Sequence, residues 1–224
     1  MAVFARRIRN RQQGRSSVPL DRLLADGIRR LGLEIPPERQ RRLLDYIQLL
    51  GKWNRVYNLT SVRKPQDMIA RHLLDSLSVY PYVEGPRVLD VGTGAGIPGM
   101  VFALVQPDWE LVLLDSSNKK LRFVRQAIEE LGVENASVAH VRVEDYRPEA
   151  PFDTAVSRAF SSLEDMYQAC RRLMKPDGKV LAMKGVYPVT EVEALSDPEV
   201  LLDVIPLAVP GLQAERHVVM LSPR

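Results

Sequence analysis

The residues best suited to chemistry lie in the segment RVLDVGTGAGIPGMVFAL, where four glycines fall within eight positions: Gly92, Gly94, Gly96 and Gly99. Glycine permits a positive φ and lets a ligand lie directly against the backbone. Asp115 follows about twenty residues after the loop, where a carboxylate can accept hydrogen bonds from both ribose hydroxyls of a nucleoside. The pattern predicts a binding site for a ligand that carries a nucleoside.

Two classes of ligand fit such a loop. Residues 94–99 match GxGxxG, the fingerprint of dinucleotide sites, and the following helix start offers free N–H groups. Asp90 stands two residues before the glycines, and a second carboxylate there suits a cationic ligand better than a pyrophosphate. S-adenosylmethionine carries an ammonium and a sulfonium but no phosphate. We therefore expect S-adenosylmethionine, with a nicotinamide oxidoreductase as the alternative; no hydride-transfer acid is evident, since His140 and His217 lie in predicted strands.

A mainly parallel sheet is needed to position these residues. Short apolar segments alternate with helical ones from residue 87 onward, so the sequence predicts an α/β, doubly wound sheet with helices on both faces. The predicted strands are 87–91, 110–115, 137–143, 152–158, 179–184, 200–208 and 215–221, and the predicted helices between them are 98–105, 119–131 and 163–174. A short turn-rich stretch joins the last two strands, which predicts an antiparallel hairpin. This predicted arrangement resembles the Rossmann-like architecture of class I methyltransferases.

The chain before this sheet divides into two parts. Residues 1–17 carry five arginines and no acid, which predicts either a disordered tail or a basic arm that rests on phosphates. Residues 18–84 are predicted to form a helical extension, because Leu43, Ile47 and Leu50 repeat at helical spacing. In this extension we expect His72 to lie on a polar, exposed helix face. Residues 85–224 are predicted to form the S-adenosylmethionine-binding core.

The composition restricts the class of protein. The single cysteine, Cys170, excludes an intramolecular disulfide and favours a reducing compartment. No apolar run approaches the length of a membrane span, so a soluble, cytoplasmic protein with no membrane partner is expected. No His, Cys and Glu cluster indicates a metal site. A monomer is expected, and the net charge of +3 is compatible with an anionic partner.

A larger set of motifs resembles one family. KWNRVYNLTSVR, RHLLDSL, LDVGTGAGIPG, LLDSSNKKLRFVRQ, RVED, FDTAVSRAFSSL and MKG occur in the order seen in bacterial 16S ribosomal RNA (guanine-N7) methyltransferases, the glucose-inhibited division protein B family. The resemblance covers residues 43–185. It implies transfer of a methyl group from S-adenosylmethionine to N7 of a guanine in 16S rRNA, in the 530-loop of the decoding region of the small ribosomal subunit.

The resemblance also implies roles for individual residues. Together with the loop pattern it gives the expected cofactor-binding set: Gly92, Gly94, Gly96, Ile97, Asp115, Val143, Glu144 and Arg158. Basic residues expected to contact RNA phosphates are Arg6, Arg7, Arg9, Arg11, Lys119, Lys120 and Arg122. Val143 and Glu144 are implied to flank the adenine, and Arg158 is implied to reach the cofactor side of the site.

The expected chemistry needs no general base. Guanine N7 has a lone pair and no proton to lose, so holding acceptor and methyl group in line is sufficient, and Arg158 is the best catalytic candidate. Methylation of cytosine C5 would need an activated thiol, whereas Cys170 reads as a small core residue. The alternatives left open are a methyltransferase of this fold acting on another RNA, a small molecule or a protein, and a non-catalytic RNA-binding protein.

Overall fold

We describe the protein from a computed structural model, which places residues 18–158, 160, 162–195, 197 and 199–224. The predicted tail, with Arg6, Arg7, Arg9 and Arg11, lies outside the described residues. Within the described part, seven strands form one sheet. They are β1 (Arg87–Val91), β2 (Glu110–Asp115), β3 (Ala136–His140), β4 (Phe152–Ser157), β5 (Met174–Lys184), β6 (Val200–Pro206) and β7 (His217–Pro223).

The strand order is β3-β2-β1-β4-β5-β7-β6. Strands β1 to β5 pair in parallel, and β7 pairs antiparallel with both β5 and β6. The predicted α/β sheet with a C-terminal antiparallel hairpin is therefore confirmed. Strand β3 ends three residues earlier than predicted, because its His140 pairs with Asp115, the last residue of its one neighbour β2.

Helices cover both faces of the sheet. They are α1 (Leu20–Arg30), α2 (Pro37–Tyr57), α3 (Pro65–Met68), α4 (Asp75–Val79), α5 (Gly99–Val105), α6 (Asn118–Glu130), α7 (Leu163–Arg171) and α8 (Val189–Ala194). Side chains of β1 alternate between the two layers: Val88 packs in the layer of α2, α5 and α6, whereas Leu89 and Val91 pack in the layer of α7. This period of two explains why a parallel strand buried on both faces reads as a continuous apolar run.

Helix α2 runs antiparallel to α6 along one face of the sheet. Near its start, the Arg42 guanidinium donates to the Leu131 carbonyl at 2.8 Å, just after the last residue of α6. Nearer its end, the Trp53 ring lies 5.7 Å from the Phe123 ring, in the second turn of α6. The C-terminal turns of α2 therefore lie beside the first turns of α6, at the edge where the parallel strands end.

The helix predicted after Pro65 is not uniformly α-helical. A π-helical segment, Ile69–Leu74, separates α3 from α4. The expectation that His72 is exposed is wrong: it is 6% exposed, and its Nε2 lies 3.1 Å from the Thr60 hydroxyl. Burial lowers the pKa of His72 to about 4. In the part of the chain that the structure describes, no helix is both long and apolar enough to cross a bilayer.

Candidate active site

The glycine loop bends over the end of β2. Gly92, Gly94 and Gly96 have φ of 69°, 61° and 85°, a region that side chains with a Cβ rarely adopt. The amides of Gly92 and Thr93 both donate to the Leu114 carbonyl, at 2.8 and 3.0 Å. These bonds place the loop directly beside Asp115, the residue that ends β2.

The glycines serve different purposes. A Cβ on Gly94 would have the Gly92 carbonyl oxygen, 3.9 Å away, as its nearest neighbour, so this side of the loop is open. A Cβ on Gly96 would lie 2.7 Å from Met100 Cγ, and one on Gly99 would lie 2.1 Å from Leu113 Cδ2. Close packing thus requires glycine at the last two positions, whereas Gly94 leaves space on the open side of the loop.

Asp115 is held in one orientation by the backbone. One carboxylate oxygen accepts a hydrogen bond from the Gly94 amide at 2.9 Å, and the other accepts one from the Ser117 amide at 2.7 Å. The residue is 6% exposed. Each oxygen keeps a second lone pair, so the carboxylate can still accept from a ligand hydroxyl.

A cavity of about 330 Å³ opens at this edge of the sheet. Four residues of the expected cofactor set line it: Gly92, Asp115, Val143 and Glu144. Lys120 and Phe160 line it as well. Gly94 adjoins the cavity through its hydrogen bond to Asp115, whereas Gly96 and Ile97, further along the loop, are buried, Ile97 with 8% exposure. The cofactor role of the set stays a prediction.

The segment that carries Val143 and Glu144 is clamped by an arginine that sequence reasoning missed. Val143–Asp145 forms one 3₁₀ turn after β3. The Arg172 guanidinium, just after α7, donates to the carbonyls of Glu144 at 3.0 Å and Tyr146 at 2.9 Å, and also to that of Val143. No local signal marks Arg172, because its partners are 26 or more positions away.

Asp90 does not reach the cavity, which corrects the expectation that it faces a cationic ligand. It is fully buried, and its Oδ2 accepts hydrogen bonds from the Thr93 hydroxyl at 2.5 Å and the Gly99 amide at 2.8 Å. The first amide of α5 is therefore occupied. The sequence had suggested that it would be free to bind a ligand. Burial raises the pKa of Asp90 to about 7.

The helical extension braces the loop from the other side. The Tyr46 hydroxyl, on α2, donates to the Ala95 carbonyl in the middle of the loop. Tyr46 is completely buried, and burial together with the nearby Asp90 raises the pKa of its phenol. Sequence analysis gave Tyr46 no role in the site.

Arg158 follows β4 and joins a buried ion cluster. Its Nη2 lies 3.4 Å from Asp75 Oδ2, and Arg216 Nε donates to Asp75 Oδ1 at 3.0 Å. Asp75 is 1% exposed, and burial raises the pKa of its carboxyl despite the two guanidinium groups. The Arg158 side chain retains 31% exposure, and its charge acts on both Asp90 and His72. It thus lies between the loop and the helical extension, outside the lining of the cavity.

Other reactive groups are few among the described residues. Cys170 is buried in α7, and burial raises the pKa of its thiol to about 12, so it is not an activated nucleophile. No group of three or more His, Cys, Asp or Glu side chains in the described part is placed to hold a metal ion. Lys119, Lys120 and Arg122 lie exposed on the first turns of α6.

Comparison with known proteins places the chain in one family. Residues 39–219 match the family model of GidB, described as rRNA small subunit methyltransferase G. A ribosomal RNA small subunit methyltransferase G from Methylobacillus flagellatus is 50% identical over 202 residues, 90% of this chain and 97% of that protein. One of the same name from Yersinia enterocolitica is 48% identical over 85% of this chain and 93% of that protein.

Solved structures share the fold at low identity. A putative O-methyltransferase from Klebsiella pneumoniae has a TM-score of 0.60 at 14% identity, covering 88% of this chain and 94% of that one. TrmN from Thermus thermophilus has a TM-score of 0.55 at 18% identity, covering 70% of this chain and 53% of that one. The fold is that of S-adenosylmethionine-dependent methyltransferases, and the chain belongs to the GidB family, the rRNA small subunit methyltransferase G proteins.

Proposed function

We propose that this protein methylates N7 of a guanine in 16S rRNA, in the 530-loop of the decoding region, using S-adenosylmethionine. The observation that carries the proposal is the cavity bounded by Gly92, Asp115, Val143 and Glu144 at the carboxyl edge of the sheet. The relatives named above are rRNA methyltransferases by name, and this chain matches 93% and 97% of their lengths. The match supports the same class of substrate here.

The residues of the cavity fit the proposed cofactor. Asp115 is fixed by two backbone amides and has lone pairs left for ribose hydroxyls. Val143 and Glu144 supply an apolar and a polar contact for the adenine. The open side of Gly94 allows close approach of a ligand to the backbone. When bound, S-adenosylmethionine supplies an electrophilic methyl group on a sulfonium.

The site fits a dinucleotide poorly. A pyrophosphate would need free amides at the first turn of the helix after the loop. Here the Gly99 amide is already bound by the buried Asp90 carboxylate at 2.8 Å. A pyrophosphate in that position would also meet the Asp90 carboxylate when it is ionised. This occupied amide disfavours a nicotinamide cofactor in spite of the GxGxxG match.

The protein's part in the reaction is to hold and orient. The acceptor nitrogen has no proton to lose, so no side chain needs to act as a base. The rate then depends on how well the protein positions guanine N7 and the methyl carbon. Arg158 is our candidate for this positioning, because its side chain is partly exposed and is anchored by Asp75. We assign it contact with the cofactor side of the site or with guanine O6. The proposal includes a monomeric enzyme in the cytoplasm.

Three measurements test this function. Transfer of tritiated methyl groups should be seen into 16S rRNA or 30S particles, and cleavage chemistry specific for N7-methylguanine should map the label to one guanine of the 530-loop. Calorimetry should show binding of S-adenosylhomocysteine and none of NADH. Label in lysate metabolites or proteins instead of rRNA, or binding of NADH, would overturn the proposal.

A further inference from the structure

Two segments of the chain carry cations without any acid. Residues 46–66 contain no Asp or Glu, and their cations are Lys52, Arg55, Arg63 and Lys64. Residues 116–128 also contain no acid, and their cations are Lys119, Lys120, Arg122 and Arg125. All eight side chains are exposed. None lies within 4.0 Å of an acidic group of another described residue, so none of the eight forms an ion pair within the described chain.

The fold brings the two segments together. The Trp53 and Phe123 rings, 5.7 Å apart, join the last turns of α2 to the early turns of α6. Arg122 directly precedes Phe123 in the sequence, Arg125 follows two positions after it, and Lys120 lines the cavity. We call the exposed part of these two segments the α2–α6 surface. Its α6 part borders the cavity at the carboxyl edge of the sheet through Lys120.

An aromatic platform stands within this surface. The rings of Trp53 and Tyr57 stack with centroids 5.0 Å apart and an interplanar angle of 29°. Tyr57 keeps 39% exposure, and the adjacent Val56 keeps 71%. Trp53 is itself supported by Phe123, so the Tyr57 ring is held from one side while other parts of it reach solvent. Rings held in this way among cations are typical platforms for unpaired bases.

We infer that the α2–α6 surface binds the RNA substrate, with its cations on phosphates and Tyr57 stacked on an unpaired base near the target guanine. The inference rests on the proposed function and adds the place where the RNA lies. A polyanion is favoured over a protein partner because the two segments carry eight exposed cations that form no ion pair within the described chain, and neither segment contains an acid. The exposed aromatic ring favours a single-stranded segment over a duplex, whose bases are not available for stacking.

The inference is tested by direct RNA binding, measured separately from methylation. We would titrate a fluorescent 16S rRNA fragment containing the 530-loop at several salt concentrations. Arg55→Glu and Arg122→Glu should each raise the Kd about tenfold and reduce the salt dependence by the equivalent of about one phosphate contact or more. Tyr57→Ala should raise the Kd by roughly 5- to 100-fold, and Tyr57→Phe should bind like the unmodified protein.

The matched control is Arg41→Glu. Arg41 is exposed on the same helix, α2, but at the end away from the cavity, and the charge change is the same. It should leave the Kd within about twofold, since phosphate contacts act locally. If Arg55→Glu and Tyr57→Ala bind RNA no worse than Arg41→Glu while the unmodified protein methylates rRNA, the inference is overturned and the proposed function stands. Failure of the unmodified protein to bind S-adenosylhomocysteine would instead overturn the proposed function.

Discussion

Asp75 and Arg216 are 141 positions apart in the chain and joined by a hydrogen bond of 3.0 Å. The carboxylate comes from the helical extension and the guanidinium from the turn just before β7. Arg158, after β4, meets the other carboxylate oxygen at 3.4 Å. One buried acid thus ties together three separate parts of the chain. Its anchoring of Arg158 is the link between this cluster and the site.

Removal of the shared acid should be more damaging than removal of either arginine. Asp75→Ala leaves two partly buried guanidinium groups without their partner, and we expect the free energy of unfolding to fall by about 2–3 kcal/mol. Arg158→Ala and Arg216→Ala should each cost less, because Asp75 keeps one partner. Urea denaturation measures all three variants. An Asp75→Ala protein as stable as Arg158→Ala would contradict a shared-acid cluster.

Arg158→Ala should separate catalysis from stability. Because Asp75 stays paired with Arg216, the fold should persist, while rRNA methylation should fall by about 10- to 100-fold through loss of a positioned donor. Arg158→Lys keeps the charge but loses the planar fork, so it should recover only part of the rate. Single-turnover methylation gives the readout, with Arg216→Ala as the stability control. Near-normal turnover of Arg158→Ala would remove this arginine from the site.

The parts of the site predicted from sequence are those fixed by local pattern. The glycine loop and Asp115 lie where strand periodicity and chain order place them, because the carboxyl ends of parallel strands share one edge. The Asp75–Arg216 bond was not predictable, since nothing local marks a contact across 141 positions. Asp90 and His72 were misjudged for the same reason. Both are polar residues in apolar surroundings, and only the folded structure shows that they contact Gly99 and Thr60, their hydrogen-bond partners.

Gly94→Val should abolish cofactor binding without unfolding the protein. The new side chain would enter the open side of the loop beside Asp115, at a φ of 61° that costs roughly 1–2 kcal/mol for a residue with a Cβ. Gly32→Val is the matched control, because Gly32 has a similar φ of 71°, a Cβ added to it would meet no atom within 4 Å, and it lies after α1, away from the cavity. Both variants should lose similar stability in thermal melts. Calorimetry should show that only Gly94→Val fails to bind S-adenosylhomocysteine.

Asp115→Ala should weaken cofactor binding far more than RNA binding. The change removes the ribose acceptor and leaves the Gly94 and Ser117 amides without their partner, so we expect a loss of roughly 100-fold in affinity for S-adenosylhomocysteine. Affinity for the 530-loop fragment should change by less than about threefold, since Asp115 belongs to neither cationic segment. Asp108→Ala removes an exposed acid at the opposite edge of the sheet and should change neither affinity. Equal losses for both ligands would show that Asp115 acts on the fold and not on the cofactor.

The buried Asp90 predicts a specific dependence of stability on pH. Its pKa is about 7 in the folded protein, against 3.8 for an ordinary carboxyl. Between these values the folded state binds one proton more than the unfolded state at this group, so the contribution of Asp90 to stability falls as pH rises. The stabilising contribution of the protonated Asp90 is complete below about pH 4, and it is lost once the pH has risen past about 7. The slope is about 1.4 kcal/mol per pH unit at most.

Asp90→Asn should remove this dependence and keep the loop in place. The amide oxygen of an asparagine can still accept from the Gly99 amide and the Thr93 hydroxyl, the two bonds made by Oδ2. We expect the variant to gain stability relative to the unmodified protein steadily from pH 4.5 to pH 7.5, by a total on the order of 2–4 kcal/mol. Urea denaturation of both proteins across this range gives the difference, in which the opposite contribution of His72, whose pKa is lowered to about 4, cancels. A difference that stays constant with pH would mean that Asp90 is ionised throughout and that the buried carboxylate is stabilised by the loop.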